Sequence, residues 1–458
     1  MKYFSTRDKS LEFSFKDIFL RGLAPDGGLF LPSEIKKYTA NELRNLSILS
    51  YVDLATEIIF NFCKDDIDKK ELNALIEKSY KSFKSKDVVE LKKIGNFNLL
   101  ELYHGPTLAF KDIAMQVIGN MYDYLQVSKD KVVNIIVATS GDTGSAAISA
   151  LNNRKNINVF VLHPHKKISN IQRKIMTTMG SKNIFNVAIE GSFDDCQKIV
   201  KDMFNENEFR EKINMSGVNS INWARIICQI VYYFYAAFKI GKKKISFSVP
   251  TGNFGDIYAG YMAKKMGLPI DKLIVATNEN DILQRVINTG EYKPSKVKPS
   301  LSPSMDIQIS SNFERLLFDI VNQDDKKVAS LMNDLLIKGF FKLDQEAVKI
   351  IKKDFCAEKI SDEETLSIIE NINTESKFIL DPHTATAVGA VKKIGNLSET
   401  IILGTAHPYK FLETVKRATG KEIDAPAQLS NVVDKEEKFD IIENNISLIK
   451  NYILNKAI

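Results

Sequence analysis

Apolar residues recur with two different periods along the chain. Through residues 1–90, after an irregular start and a turn at Pro25–Gly28, the spacing is helical. Ser50 precedes a stripe of Val52, Leu54, Ala55, Ile58, Ile59 and Phe62, which predicts a helix capped by that serine. Leu72, Leu75, Ile76 and Tyr80 predict a second. From residue 95 onward, short runs rich in β-branched residues alternate with glycine-containing turns and helical stretches. Val132–Ala138, Asn158–Leu162, Asn186–Ile189, Ile245–Val249, Lys272–Thr277 and Thr400–Leu403 predict strands. Ser145–Leu151, Phe193–Phe204 and a segment from Gly255 to Met266 predict helices between them, the last stopped by Gly267 and Pro269.

Apolar strands alternating with helices predict an α/β fold of two lobes, each a parallel sheet covered by helices. A ligand then belongs in the crevice at the carboxyl ends of the strands. The expected organisation is an N-terminal region, 1–90, a core, 91–420, and a helical tail, 421–458. Within the core, about 280–376 reads as a mainly helical, charged insertion. In the tail, Ile441, Ile442, Ile446, Leu448, Ile449 and Ile453 read as helical.

Composition narrows the function. The 458 residues are 44% hydrophobic and 26% charged, which excludes a disordered chain. A net charge of +6 is too dilute for a nucleic-acid footprint. Cys63, Cys196, Cys228 and Cys356 are scattered, so no disulfide framework is expected and a reducing cytoplasm suits them. The start MKYFSTRDKS lacks the apolar run of a signal peptide. The apolar stretch Ile226–Phe238 contains Gln229 and falls short of the roughly 20 residues a bilayer needs, so it predicts a buried helix and no membrane partner.

Two turns with G-x-x-G spacing join a strand to a helix: Gly141–Gly144 and Gly252–Gly255. Each is either a tight turn or an anion cradle built from backbone N–H groups and a helix N-terminus. Lys111 opens a helix whose same face carries Met115, Ile118 and Tyr122. Such a lysine either snorkels or sits in a pocket, where desolvation suits it to imine or proton-transfer chemistry. No Walker or Rossmann glycine pattern, no serine-hydrolase elbow and no zinc-ligand spacing occurs, so no metal is expected.

Several segments together resemble the threonine synthases. They are Ser5–Arg7, Gly22–Leu29, His104–Asp112, Ala138–Gly144, Asn219–Arg225, Pro250–Asp256 and Thr405–Pro408, in the family's order. The resemblance is to the longer branch, and it departs at Tyr409, where a small residue is expected. It implies a two-lobed fold-type-II pyridoxal 5'-phosphate enzyme with the cofactor between the lobes. The implied reaction is the last step of threonine biosynthesis, a carbon–oxygen lyase acting on phosphates: O-phospho-L-homoserine and water give L-threonine and phosphate. By the same resemblance Lys111 bears the cofactor, and Gly252, Asn253, Phe254, Gly255 and Asp256 cradle its phosphate. Asp256 is expected to act there as a helix cap. Thr405 faces the pyridine nitrogen, and Thr139, Ser140, Gly141, Asp142 and Thr143 hold the substrate. Asn219 and Arg225 are the candidates for the substrate phosphate, the alternative for Arg225 being a structural ion pair. A monomer or homodimer is expected. The competing readings are a phospholyase that releases a 2-keto acid, and an inactive α/β binding module.

Overall fold

A computed structural model describes every residue except 127–130, 396, 398, 431, 433 and 458. Two sheets organise it. One has six strands, in the order Phe355–Lys359, Ile270–Thr277, Ile245–Pro250, Glu399–Gly404, Phe97–Glu101 and Glu90–Ile94. Its first five strands are parallel and the last is antiparallel. The other has five parallel strands: Asp440–Glu443, Ile184–Glu190, Ile157–Pro164, Val133–Ala138 and Met215–Ser216. All six expected strands occur, each within two residues of its expected ends.

The long apolar helix spans Trp223–Ile240 and is buried on every side over most of its length, as an all-round hydrophobic helix must be. It packs against helices Tyr51–Cys63, Lys111–Leu125 and Gly255–Lys265. Gly260 lets it approach the last of these, because a Cβ there would lie 2.6 Å from a ring carbon of Tyr233. Ser50 caps the Tyr51–Cys63 helix as expected, accepting from the Asp53 N–H at 3.1 Å. The N-terminal region is tied to the core by Arg7, whose guanidinium pairs with Glu314 at 2.7 Å.

One expectation is refined and one changes. The 280–376 stretch is mainly helical but also returns Phe355–Lys359 to the six-stranded sheet as its edge. In the tail, Ile441 and Ile442 lie in an edge strand of the five-stranded sheet, not in the helix, which begins at Ile446. An edge strand needs apolar contact on one face only, and Ile441 is accordingly exposed.

Candidate active site

The turns that leave the carboxyl ends of the central strands converge between the sheets. After strand Ile245–Pro250, Phe254 adopts a left-handed conformation, φ 62°, at the start of helix Gly255–Lys265. The carbonyls of this turn are occupied from outside: Ser310 Oγ donates to Gly252 at 2.7 Å and the Asn312 N–H to Asn253 at 3.0 Å. Among the described residues, no protein acceptor takes the N–H groups of Gly252, Asn253 or Phe254. With the open helix terminus, these donors form a cradle for an anion. Glycine suits position 252, since a Cβ would lie a tight 3.0 Å from the Ser304 carbonyl oxygen and 3.1 Å from Met305 Cα.

The turn at Ser220 adjoins this cradle. Asn312 Nδ2 bridges them, donating to the Ser220 carbonyl at 3.2 Å and the Asn253 carbonyl at 3.0 Å. The half-buried Asn219 belongs to the Ser220 turn, and Arg225 lies in the first turn of the helix that follows. Arg225 is buried, and its Nη1 donates to the Val218 carbonyl at 3.3 Å. Its Nε has no partner, and no ion pair reaches it among the described residues. Burial lowers its pKa to about 10. The structural ion pair weighed above is therefore not found.

Lys111 begins helix Lys111–Leu125 behind strand Phe97–Glu101. It is 9% exposed and does not snorkel, and its companions Met115, Ile118 and Tyr122 are wholly buried. Its Nζ lies 3.2 Å from Asp142 Oδ2. Burial lowers the lysine's pKa, with Asp142 opposing and Lys410 and Arg225 reinforcing the fall. Thr405 follows strand Glu399–Gly404, and its backbone is fixed on both sides. Its N–H donates to Thr384 Oγ1 at 3.3 Å, and its carbonyl accepts from the Phe110 N–H at 2.9 Å, one residue from Lys111.

The Thr139–Gly144 turn leaves strand Val133–Ala138 of the other sheet. Thr139 Oγ1 accepts from the N–H groups of Gly141 and Gly144, each at 2.9 Å, so this hydroxyl shapes the turn. Gly141, at φ 135°, precedes helix Asp142–Leu151. Ser140 and Thr143 remain half exposed, whereas Asp142 is buried.

Comparison with known proteins decides the family. The model described as Threonine synthase N terminus matches residues 2–80. Pyridoxal-phosphate dependent enzyme matches 89–337, and Threonine synthase, C-terminal, matches 384–453. The threonine synthase of Pseudomonas aeruginosa is 43% identical over 99% of this chain and 98% of its own. The crystal structure of PLP-bound threonine synthase from Brucella melitensis is 43% identical, covers 100% of this chain and 99% of its own, and superposes with a TM-score of 0.95. The yeast threonine synthase structure is 41% identical over 99% of this chain and 98% of its own, with a TM-score of 0.92. The chain belongs to the threonine synthase family. It is a pyridoxal-phosphate-dependent enzyme of fold type II.

Threonine synthase membership leaves one residue to correct and several to add. Asp256 is not the helix cap, because the left-handed Phe254 holds that position without a side-chain bond. The Asp256 carboxylate turns instead toward the neighbouring helix, accepting from the hydroxyls of Tyr232 and Tyr233, the latter at 2.9 Å. Burial raises its pKa to about 6. Sequence reasoning missed Lys410, Gln172, Ser304 and His383, which surround Asp142. Gln172 Nε2 donates to Asp142 Oδ1 at 3.0 Å, and the Ser304 hydroxyl to Oδ2 at 3.4 Å. His383 Nε2 accepts the Ser304 N–H at 3.2 Å, and its Nδ1 meets Asp381 Oδ1 at 3.0 Å. Only Lys410 carried a local signal, standing in an apolar turn beside the family segment ending at Pro408. Tyr409, the departure from the family pattern, packs with Leu108, Ile175, Leu429 and Val432.

Proposed function

We propose that the chain converts O-phospho-L-homoserine and water to L-threonine and phosphate, with Lys111 between two phosphate seats. The observation that carries this reading is the pair of adjoining anion positions, the Gly252–Asp256 turn and the Asn219–Arg225 segment, bridged by Asn312. One suits the cofactor phosphate and the other the substrate phosphate. Pyridoxal phosphate, when bound, supplies the electron sink that lets protons leave the substrate's Cα and Cβ.

The chain's residues supply the rest. Burial lowers the pKa of Lys111 and so favours its neutral amine, which suits it to bear the cofactor and later carry protons between substrate carbons. Arg225 offers an unpartnered Nε to a phosphate leaving Cγ. The Thr139–Thr143 turn offers its amides and a helix N-terminus to the substrate's α-carboxylate. Thr405 presents a neutral hydroxyl to the pyridine nitrogen. Burial keeps bulk water from Lys111, and closure of the lobes on substrate admits the one water that is added. We assign the enzyme to the cytoplasm, where its four free cysteines stay reduced, acting as a monomer or homodimer.

The test is incubation of the cofactor-loaded protein with O-phosphohomoserine, assaying threonine and phosphate together. Equimolar threonine and phosphate are expected. Phosphate with a 2-keto acid and no threonine establishes the phospholyase instead, and no phosphate release refutes both.

A further inference from the structure

The turn that suits an anionic substrate group carries an anionic side chain of its own. Asp142 also stands 3.2 Å from the Lys111 amine. An isolated pair of these two would hold Lys111 protonated and tied down, the opposite of what its role requires. A second lysine changes this balance. Lys410 lies in the short turn Pro408–Phe411, behind strand Glu399–Gly404 of the six-stranded sheet, and its side chain is wholly buried. Its Nζ is 2.5 Å from Asp142 Oδ1 and donates to the Thr107 carbonyl at 3.0 Å. The contact joins the two halves of the crevice, since Asp142 belongs to the turn after a strand of the five-stranded sheet.

Resting on the reading of Lys111 given above, we propose that Lys410 is a positioning residue of the reaction: its ammonium takes up the charge of Asp142, leaving the Lys111 amine free for the cofactor. The geometry divides the carboxylate between the two cations, one oxygen to each. Oδ1 is further engaged by Gln172 and Oδ2 by Ser304. The charged and titratable groups around these side chains come from several elements. Lys111 is influenced by Asp142, Lys410 and Arg225, and it acts in turn on Asp256. Lys410 acts on Asp112 and His407 as well as on Asp142. His383 adds a further influence on Asp142. Although burial would raise its pKa, Lys410 and Lys111 hold Asp142 well below the ordinary carboxylate range. Lys410 thus neutralises the acid and repels the Lys111 ammonium, and both effects favour the neutral amine. A neutral side chain could fill the same space, but it would leave Asp142 to Lys111 alone.

The experiment follows cofactor uptake by the full-length chain, freed of pyridoxal phosphate, as a function of pH. The rate of appearance of visible absorption has a midpoint that reports the proton on Lys111. Lys410→Met is expected to raise that midpoint by about one pH unit or more, a tenfold slower uptake on the acid side. Lys410→Arg is expected to keep the wild-type midpoint. Combining Lys410→Met with Asp142→Asn is expected to bring the midpoint back toward wild type, because the acid that traps Lys111 is gone. An unshifted midpoint in a folded Lys410→Met protein overturns the proposal, as does a shift that survives in the double variant. Should Lys410→Met fail to fold, Asp142→Asn alone reads the same coupling. It is expected to lower the midpoint, since Lys410 then repels Lys111 unopposed, and an unchanged or raised midpoint overturns the proposal. Borohydride reduction of the wild-type holoenzyme separates the two readings. A label on a lysine other than Lys111 refutes both, whereas a label on Lys111 with no midpoint shift refutes this one alone.

Discussion

Asp112 accepts two hydrogen bonds from Thr107, one from its N–H at 2.8 Å and one from its hydroxyl at 2.7 Å. The pair closes the segment immediately before Lys111, whose helix has no side-chain cap of its own. Gly105 permits the closure, because a Cβ there would lie 2.4 Å from Asp112 Cβ. Lys410 fastens the same loop through the Thr107 carbonyl. The Lys111 amine therefore stands on backbone held from two sides, an arrangement that suits the role proposed for it.

Thr107→Val keeps the shape but removes one donor from a buried carboxylate. Burial already raises the Asp112 pKa to about 6, with the Thr107 bonds opposing. Leaving one oxygen short should cost about 1–3 kcal/mol. The expected result is a lower urea midpoint and slower cofactor uptake, with both restored in Thr107→Ser. Equal stability of the Val and wild-type proteins would show that the hydroxyl bond has no net value.

Lys111→Ala is expected to abolish turnover while pyridoxal phosphate still associates through the Gly252–Asp256 turn. The expectation follows from the separation of the two tasks, since the amides of the turn do not depend on Lys111. Equilibrium dialysis measures the association, and the absence of a borohydride-stable pyridoxyl peptide reports the lost bond. Turnover above about one ten-thousandth of wild type would assign the proton transfers elsewhere.

These features differ in how visible they are in sequence, and the reason is physical. The glycine turns and the segment ending in Lys111 are local: each residue's partner lies within a few positions, as in Thr107–Asp112 and Thr139–Gly144. Central strands such as Val133–Ala138 are buried on both faces and so read as unbroken apolar runs. Glu90–Ile94, Phe355–Lys359 and Asp440–Glu443 are edge strands that carry charge, which erases that pattern. Lys410 escaped because its meaning is tertiary: nothing near it in the chain announces Asp142, which the fold delivers from the opposite sheet. The cap assigned to Asp256 failed because a left-handed Phe254 starts the helix two residues earlier than a capping aspartate requires, and no local propensity foretells that conformation for phenylalanine.

His163 makes stability depend on pH in a defined direction. It stands one residue before the end of strand Ile157–Pro164, with both ring nitrogens buried and, among the described residues, without a partner in full hydrogen-bonding geometry. Burial lowers its pKa from 6.5 to about 4, with the Pro164 backbone and Glu437 opposing and the nearby His165 and Arg173 reinforcing the fall. Between those values the unfolded chain binds a proton that the folded chain does not. Its contribution is therefore complete above about pH 6.5 and lost as pH falls toward 4, roughly 3 kcal/mol in all. His163→Leu should remove this dependence. Urea unfolding at pH 7 and at pH 4 is expected to show the wild type losing about 3 kcal/mol more than the variant. Parallel losses would mean that the ring accepts a proton without cost in the folded state.

Arg225→Leu tests the proposed second phosphate seat. The guanidinium is buried and, among the described residues, bonds only the Val218 carbonyl through Nη1 and keeps an unpartnered Nε. A buried cation without a counter-ion is costly, and lacking a structural ion pair it gains its compensation when an anion arrives. Removing it should cost substrate binding about 2–3 kcal/mol, a loss of roughly 30–150-fold in kcat/KM. Cofactor affinity should change far less, because the amides of Gly252, Asn253 and Phe254 remain. The folded protein should be no less stable, and the loss of an uncompensated charge favours a small gain. The measurements are kcat/KM for O-phosphohomoserine, inhibition by inorganic phosphate, and pyridoxal phosphate affinity, each against wild type. A variant that loses cofactor affinity in step with substrate affinity would place Arg225 at the cofactor's phosphate. One that keeps its sensitivity to inorganic phosphate would remove Arg225 from both seats, leaving Asn219 and the Ser220 turn to receive the leaving group.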